Sequence, residues 1–221
     1  MWRVKHLSRM EFEKLTANAR VLSKDNYGLK VLESADGKIF KLFRMKHAIS
    51  SAPFRPYARR FYENAEVLHR CSIPTVRVKD LFKVPEMKRD VVVYEPLPGK
   101  TLREQLGSDS QGCFAKLPAF LAELHSNGIF FRSIHFGNIV VRPDQTFGLI
   151  DISDLQYRKW RGLFIWERVR NFKHLSKYEI DKSAIKNFGC KNFIEAYLEV
   201  SEVNGLRKKI WRKLITRTLM G

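Results

Sequence analysis

Asn138 stands thirteen residues before Asp151 in the stretch LHSNGIFFRSIHFGNIVVRPDQTFGLIDISD, Leu124 to Asp154. Each lies beside a short apolar run, Ile139-Val140-Val141 and Phe147-Gly148-Leu149-Ile150, so the spacing predicts a hairpin presenting two magnesium ligands together. Mg²⁺ takes one or two side-chain oxygens and completes its shell with water and phosphate, so this pair points to the handling of a phosphate-bearing ligand. The plainer alternative is a pair of polar residues capping turns.

The surrounding motifs resemble the protein-kinase-like superfamily. Its catalytic loop reads H-R-D-x-x-x-x-N and its metal segment D-F-G. The aligned residues here are Phe131-Arg132-Ser133-Ile134-His135-Phe136-Gly137-Asn138 and Asp151-Ile152-Ser153. The resemblance implies ATP and Mg²⁺ as cofactors, with Asn138 and Asp151 as metal ligands. It also implies a lysine on the third strand to neutralise phosphate charge and a glutamate on the next helix to orient that lysine. Lys41, between Phe40 and Leu42 in an alternating strand, takes the first role; Glu63 takes the second in preference to Glu66. Gly28, in DNYGLK, is the single glycine available to a phosphate-covering loop, where Lys24 or Lys30 would have to add grip. Glu95 completes the cofactor-binding set. In the loop itself Arg132, Ser133 and His135 are the catalytic candidates. Ser133 replaces the aspartate that accepts the substrate hydroxyl's proton, His135 is either a substitute base or structural, and Asp154 either backs the metal segment or caps a helix.

Within that superfamily the chain is similar to the lipopolysaccharide kinase group, the bacterial Kdo and heptose kinases and the related "toluene tolerance" proteins. The similarity runs from about Val21 to Tyr178, carried by R-S-I-H-F-G-N-I-V-V, L-I-D-I-S-D-L and the R-V-R-N-F-K-H-L run at 168–175. It implies a cytoplasmic enzyme, peripheral at the inner membrane, that phosphorylates a sugar hydroxyl of the lipopolysaccharide core. There is no A-P-E segment, and only 70 residues follow Asp151, which disfavours a protein substrate.

The elements needed to position these residues are legible in outline. Residues 19–44 alternate as a meander with turns at 24–28 and at Ala35-Asp36-Gly37, the Asp-Gly pair being a strong hairpin signal. Residues 55–71 have helical periodicity, strands follow at 76–84 and 91–94, and Pro96-Leu97-Pro98-Gly99 ends regular structure. A helix spans about 114–126, and amphipathic helices fill the chain after Trp166. The expectation is an α+β, two-lobed kinase-like fold: a small antiparallel sheet plus one helix over residues 1–95, and a mainly helical lobe over 96–221.

Composition sets the outer limits. The 221 residues are 44% hydrophobic, enough for a sizeable core. No apolar run near the start reads as a signal peptide, and no stretch reaches the roughly 20 residues of a membrane span. Cys71, Cys113 and Cys190 are scattered and odd in number, which argues against a disulfide framework or zinc site. The net charge is +18, with 20 Lys/Arg against 11 Asp/Glu in residues 1–95, 5 against 6 in 96–155, and 16 against 6 in 156–221. A near-neutral centre between basic ends points to an anionic partner at the surrounding surface, whether phospholipid head groups, lipopolysaccharide, an acidic protein or nucleic acid, the alternative being a solvated, highly soluble surface. The basic aromatic run Tyr157 to Trp166 is one candidate contact, its alternative being packing on the lower lobe. The cluster Arg207-Lys208-Lys209 with Arg212-Lys213 reads first as a solvated helix face and second as a membrane contact. Nucleic acid is not expected, since charge alone supports it.

Two functions therefore stay open: a phosphotransferase weakened by Ser133, and a pseudokinase that binds nucleotide and serves as a scaffold or switch in envelope assembly.

Overall fold

A computed structural model describes residues 4–45, 56–106 and 111–220. The fold is mixed α+β and divides into two compact units, Met1–Arg70 with Thr75–Leu97, and Cys71–Pro74 with Pro98–Gly221.

The first unit is built on a six-stranded sheet. In chain order its strands are β1 (Lys5–His6), β2 (Arg20–Asp25), β3 (Gly28–Glu33), β4 (Ile39–Arg44), β5 (Arg77–Val84) and β6 (Arg89–Glu95), arranged β1-β5-β6-β4-β3-β2. The meander pairs antiparallel as its turn residues require, with Val31 opposite Lys41 and Lys41 opposite Val92. The edge strand β1 instead runs parallel to β5, so the sheet is mixed rather than purely antiparallel.

The same N-terminal segment adds a second helix to the one expected. Helix α1 (Arg9–Leu15) starts in a capping box: the Ser8 hydroxyl accepts the Glu11 N–H, and the Glu11 carboxylate accepts the Ser8 N–H at 2.7 Å. The cap turns the chain so that Phe12, 1% exposed, enters a cluster with Leu32, Phe40, Leu42, Phe82, Val84, Val91 and Val93. Truncating Phe12 to alanine would cost about 3–5 kcal/mol, as for other core phenylalanines. Helix α2 (Tyr57–Arg70) covers the opposite sheet face through Phe61, which packs against Phe43 and Tyr94. Its periodicity was expected to begin at Arg55, which lies outside the described residues.

The second unit holds β7 (Lys100–Thr101), α3 (Gln111–Ser126), β8 (Ile129–Phe131), β9 (Ile139–Val141), β10 (Phe147–Leu149), β11 (Leu155–Tyr157), α4 (Ile165–Leu175), α5 (Glu179–Phe188), α6 (Cys190–Val200) and α7 (Gly205–Met220). Phe114, Leu117, Leu121, Phe136, Phe172, Phe193 and Tyr197 form its core. A polar network crosses that core. Asn171 Oδ1 can only accept, so His125 carries its proton on Nε2 (3.2 Å) and accepts the Tyr197 hydroxyl at Nδ1 (2.8 Å). Arg168 donates to the Tyr197 oxygen, and Asn171 Nδ2 donates to the Phe131 carbonyl. These bonds fix α3, α4 and α6 against the end of β8, where the candidate loop begins. Among the described residues no helix is long and apolar enough to cross a membrane.

Candidate functional site

Two strand pairs clamp both loops that carry the candidate chemistry. Strand β8 pairs antiparallel with β11, Phe131 opposite Leu155, so Arg132 and Ser133 leave one strand as Asp154 enters the other. Strand β9 pairs with β10, Ile139 opposite Leu149, and the Ile150 N–H continues the ladder to the Asn138 carbonyl at 3.0 Å. Asn138 and Asp151 are thus brought to one end of the predicted hairpin.

Asn138 is 8% exposed, and its Nδ2 donates to the Ser133 carbonyl at 2.9 Å. With Nδ2 turned to that carbonyl, Oδ1 is the atom that could take a metal ion. Asp151 is exposed and left-handed (φ 53°, ψ 44°), a backbone state that asparagine and aspartate tolerate better than most residues. An amide oxygen and a carboxylate are hard donors that fit Mg²⁺ in company with a phosphate ligand. Among the described residues no three His, Cys, Asp or Glu side chains come together as a metal site.

Ser133, half-buried, donates from Oγ to Asp154 Oδ2 at 2.9 Å. A carboxylate from the 151–154 segment therefore lies beside Ser133. Asp154 was the weaker sequence candidate because nothing local distinguishes a contact across 21 residues from a helix cap.

His135 shapes the loop. Its Nδ1 accepts the Gly137 N–H at 3.1 Å, and its ring stands edge-on to Tyr178. Burial, then the nearby Arg103 charge, holds its pKa below the usual histidine value, so the ring is neutral at pH 7. A Cβ at Gly137 would lie 3.1 Å from that ring, so a bulkier residue before Asn138 would require the His135 ring to shift by a few tenths of an ångström.

Asp181, on α5, gave no signal in the sequence. It is fully buried, accepts two hydrogen bonds from Arg103 at 2.9 and 2.7 Å, and accepts the Phe136 N–H at 3.1 Å. One carboxylate thereby fixes the loop backbone two residues before Asn138.

Arg132 is exposed and belongs to a basic group. Burial, followed by the charges of Arg170, Arg132, Lys177 and Lys173, lowers the pKa of His174, whose Nε2 is buried without a hydrogen-bond partner. None of those four cations has a carboxylate partner among the described residues. The cluster adjoins Ser133 through Arg132 and would favour an anion there.

The remaining candidates belong to the first unit. Lys41 is 7% exposed, with Nζ 5.5 Å from the Phe61 ring centre and 5.7 Å from that of Phe43, so its charge is turned toward α2. Glu63 is half-buried and pairs with Arg59 at 2.9 Å, whereas Glu66 is exposed. Glu95 pairs with Lys79 at 2.8 Å. Gly28 takes φ +109° opposite Asp25, the conformation a hairpin turn needs, and Lys24 and Lys30 beside it are exposed.

The aromatic run 157–166 splits between its two readings. Leu163 is buried, and Arg158 and Arg161 hold Glu167 at 2.8 and 2.7 Å. Trp160 and Trp166 stay 86% and 64% exposed.

No protein family and no curated protein matches the chain.

Proposed function

We propose that the protein is an ATP-dependent phosphotransferase of kinase-like architecture, acting on a sugar hydroxyl of an anionic glycolipid of the lipopolysaccharide-core type. The observation that supports this reading is the Ser133–Asp154 hydrogen bond on the same pair of loops as Asn138 and Asp151, where a base and metal ligands would stand together. Asn138 and Asp151 would hold Mg²⁺, which supplies neutralisation of phosphate charge when bound. Within the first unit, Lys41 would be the cation available to phosphate and Glu63 the carboxylate expected to orient it.

In the step itself the acceptor hydroxyl takes the place of, or lies beside, the Ser133 hydroxyl at the Asp154 carboxylate. The acceptor oxygen bonds to the γ-phosphorus, the bond from that phosphorus to the β–γ bridging oxygen breaks, and ADP leaves. The acceptor's proton passes to Asp154. Phosphoryl transfer is loose and needs little proton removal early, so positioning matters most and the base adds about 10²–10⁴-fold. The cationic group Arg132, Arg170, Lys173 and Lys177 supports an acceptor that already bears negative charge.

A specific observation also favours a second reading. Serine at the usual aspartate position is what a nucleotide-binding scaffold would tolerate, since binding does not require the base. Mass spectrometry of core lipopolysaccharide from cells with and without the gene separates the two. Loss of one phosphate on deletion supports the transferase, and an unchanged core supports the scaffold.

A further inference from the structure

Helix α7 carries two apolar faces, and only one is used by the fold. Trp211, Ile215 and Leu219 are buried. On the outward side Leu206, Ile210 and Leu214 recur every fourth residue and remain 73%, 47% and 39% exposed. A second row, Lys209, Lys213 and Arg217, follows three residues behind each member of the first and is also exposed. Residues i and i+3 are neighbours on a helix surface, so the two rows run side by side. The helix has six Lys/Arg and no Asp or Glu. Arg212 and Lys208 turn to Glu195 on α6, but Lys209, Lys213 and Arg217 have no carboxylate partner among the described residues.

We propose that the outward face of α7 lies flat on an anionic lipid bilayer, the leucine–isoleucine row entering the acyl boundary and the basic row meeting the phosphate head groups. Both rows are needed to choose this occupant. A second copy of the chain would bring like-charged rows together, and an acidic partner in water would leave the apolar row without cover. A bilayer surface accepts apolar side chains at the depth where flanking lysines and arginines reach phosphates, the arrangement of an interfacial amphipathic helix. The solvated-face expectation accounts for the lysines but not for three exposed aliphatic side chains in register.

The inference is independent of phosphoryl transfer, because binding is read without nucleotide. Flotation of the full chain is compared on phosphatidylcholine vesicles and on mixed phosphatidylcholine–phosphatidylglycerol vesicles. Wild type should float with the mixed vesicles only, and less so as salt rises. The triple variant L206S/I210S/L214S and, separately, K209Q/K213Q/R217Q should each lower partitioning about tenfold or more. Unchanged thermal melting would show that both triples are folded; L206S alone, at the most exposed position, is the control if one is not. Binding undiminished by either triple overturns the proposal, as does failure of wild type to bind the anionic vesicles. A dimer in solution that the serine triple abolishes would overturn it in favour of self-association.

Discussion

The Ser133 hydroxyl donates a 2.9 Å hydrogen bond to the Asp154 carboxylate, and in the proposed transferase Asp154 would take the base's part that Ser133 cannot play. The exchange makes a definite prediction about rescue. Asp154→Asn should lower kcat for phosphate transfer about 10²–10⁴-fold with nucleotide affinity unchanged, because a base acts only in the transition state. Ser133→Asp alone would set two carboxylates against each other and should not accelerate the wild type. In the Asp154→Asn background the same substitution should recover part of the loss. A Ser133→Asp single variant faster than wild type would show that Asp154 is not the base.

Asp181 should behave as an anchor of the loop. Asp181→Ala removes the buried partner of a half-exposed Arg103 and strands the Phe136 N–H, a change that should cost about 1–3 kcal/mol. Urea unfolding of the full chain measures it. A loss below about 1 kcal/mol, the range of an exposed pair, would mean the contact is not holding the loop.

Acid should unfold the protein in two windows. Burial, then the Arg168 charge, holds the His125 pKa at about 3, against 6.5 in the unfolded chain. The unfolded state takes up that proton first, so this stability is complete above pH 6.5 and is lost as pH falls toward about 3, with a slope of at most about 1.4 kcal/mol per pH unit. For Glu167 burial acts upward, but the hydrogen bonds from Arg161, Arg158 and the Phe164 N–H outweigh it and hold the carboxyl at about 2. Its contribution is present above pH 4.5 and lost between there and about 2. Denaturant midpoints against pH should therefore fall in both windows, and His125→Gln should make the upper fall shallower while leaving the lower one unchanged. A wild-type midpoint constant from pH 6.5 to 4.5 would contradict the buried neutral histidine.

Glu63 and Glu66 should separate cleanly. Glu63 is half-buried on α2 and Glu66 is exposed, so in the proposed site Glu63 is the one expected to orient Lys41. Lys41→Met should abolish measurable ATP binding by calorimetry, Glu63→Gln should weaken it severalfold, and Glu66→Gln should leave it unchanged. Equal effects of the two glutamines would remove Glu63 from the phosphate-gripping role.

What the sequence disclosed was local. The Asp36-Gly37 turn, the alternation around Lys41 and the apolar runs beside Asn138 and Asp151 each act within a few residues, and strands β3, β4, β9 and β10 lie where those signals put them. Helix α1 was missed although Ser8-x-x-Glu11 is a recognisable capping box, because seven residues give too little periodicity to count. The parallel β1–β5 pairing, the Arg103–Asp181 bridge 78 residues apart and the Ser133–Asp154 bond had no local signature at all. They arise when distant segments pack, and the carboxylates that complete the site belong to that class.

Single-turnover transfer of the γ-phosphate of ATP to extracted core lipopolysaccharide, with Mg²⁺ present, tests the central claim most directly. Wild type should incorporate phosphate, Asp154→Asn should do so about 10²–10⁴-fold more slowly, and Asp151→Ala should not transfer at all. Absence of transfer by wild type, with Mg²⁺-dependent ATP binding measured in the same preparation, would contradict the transferase reading and leave the nucleotide-binding scaffold.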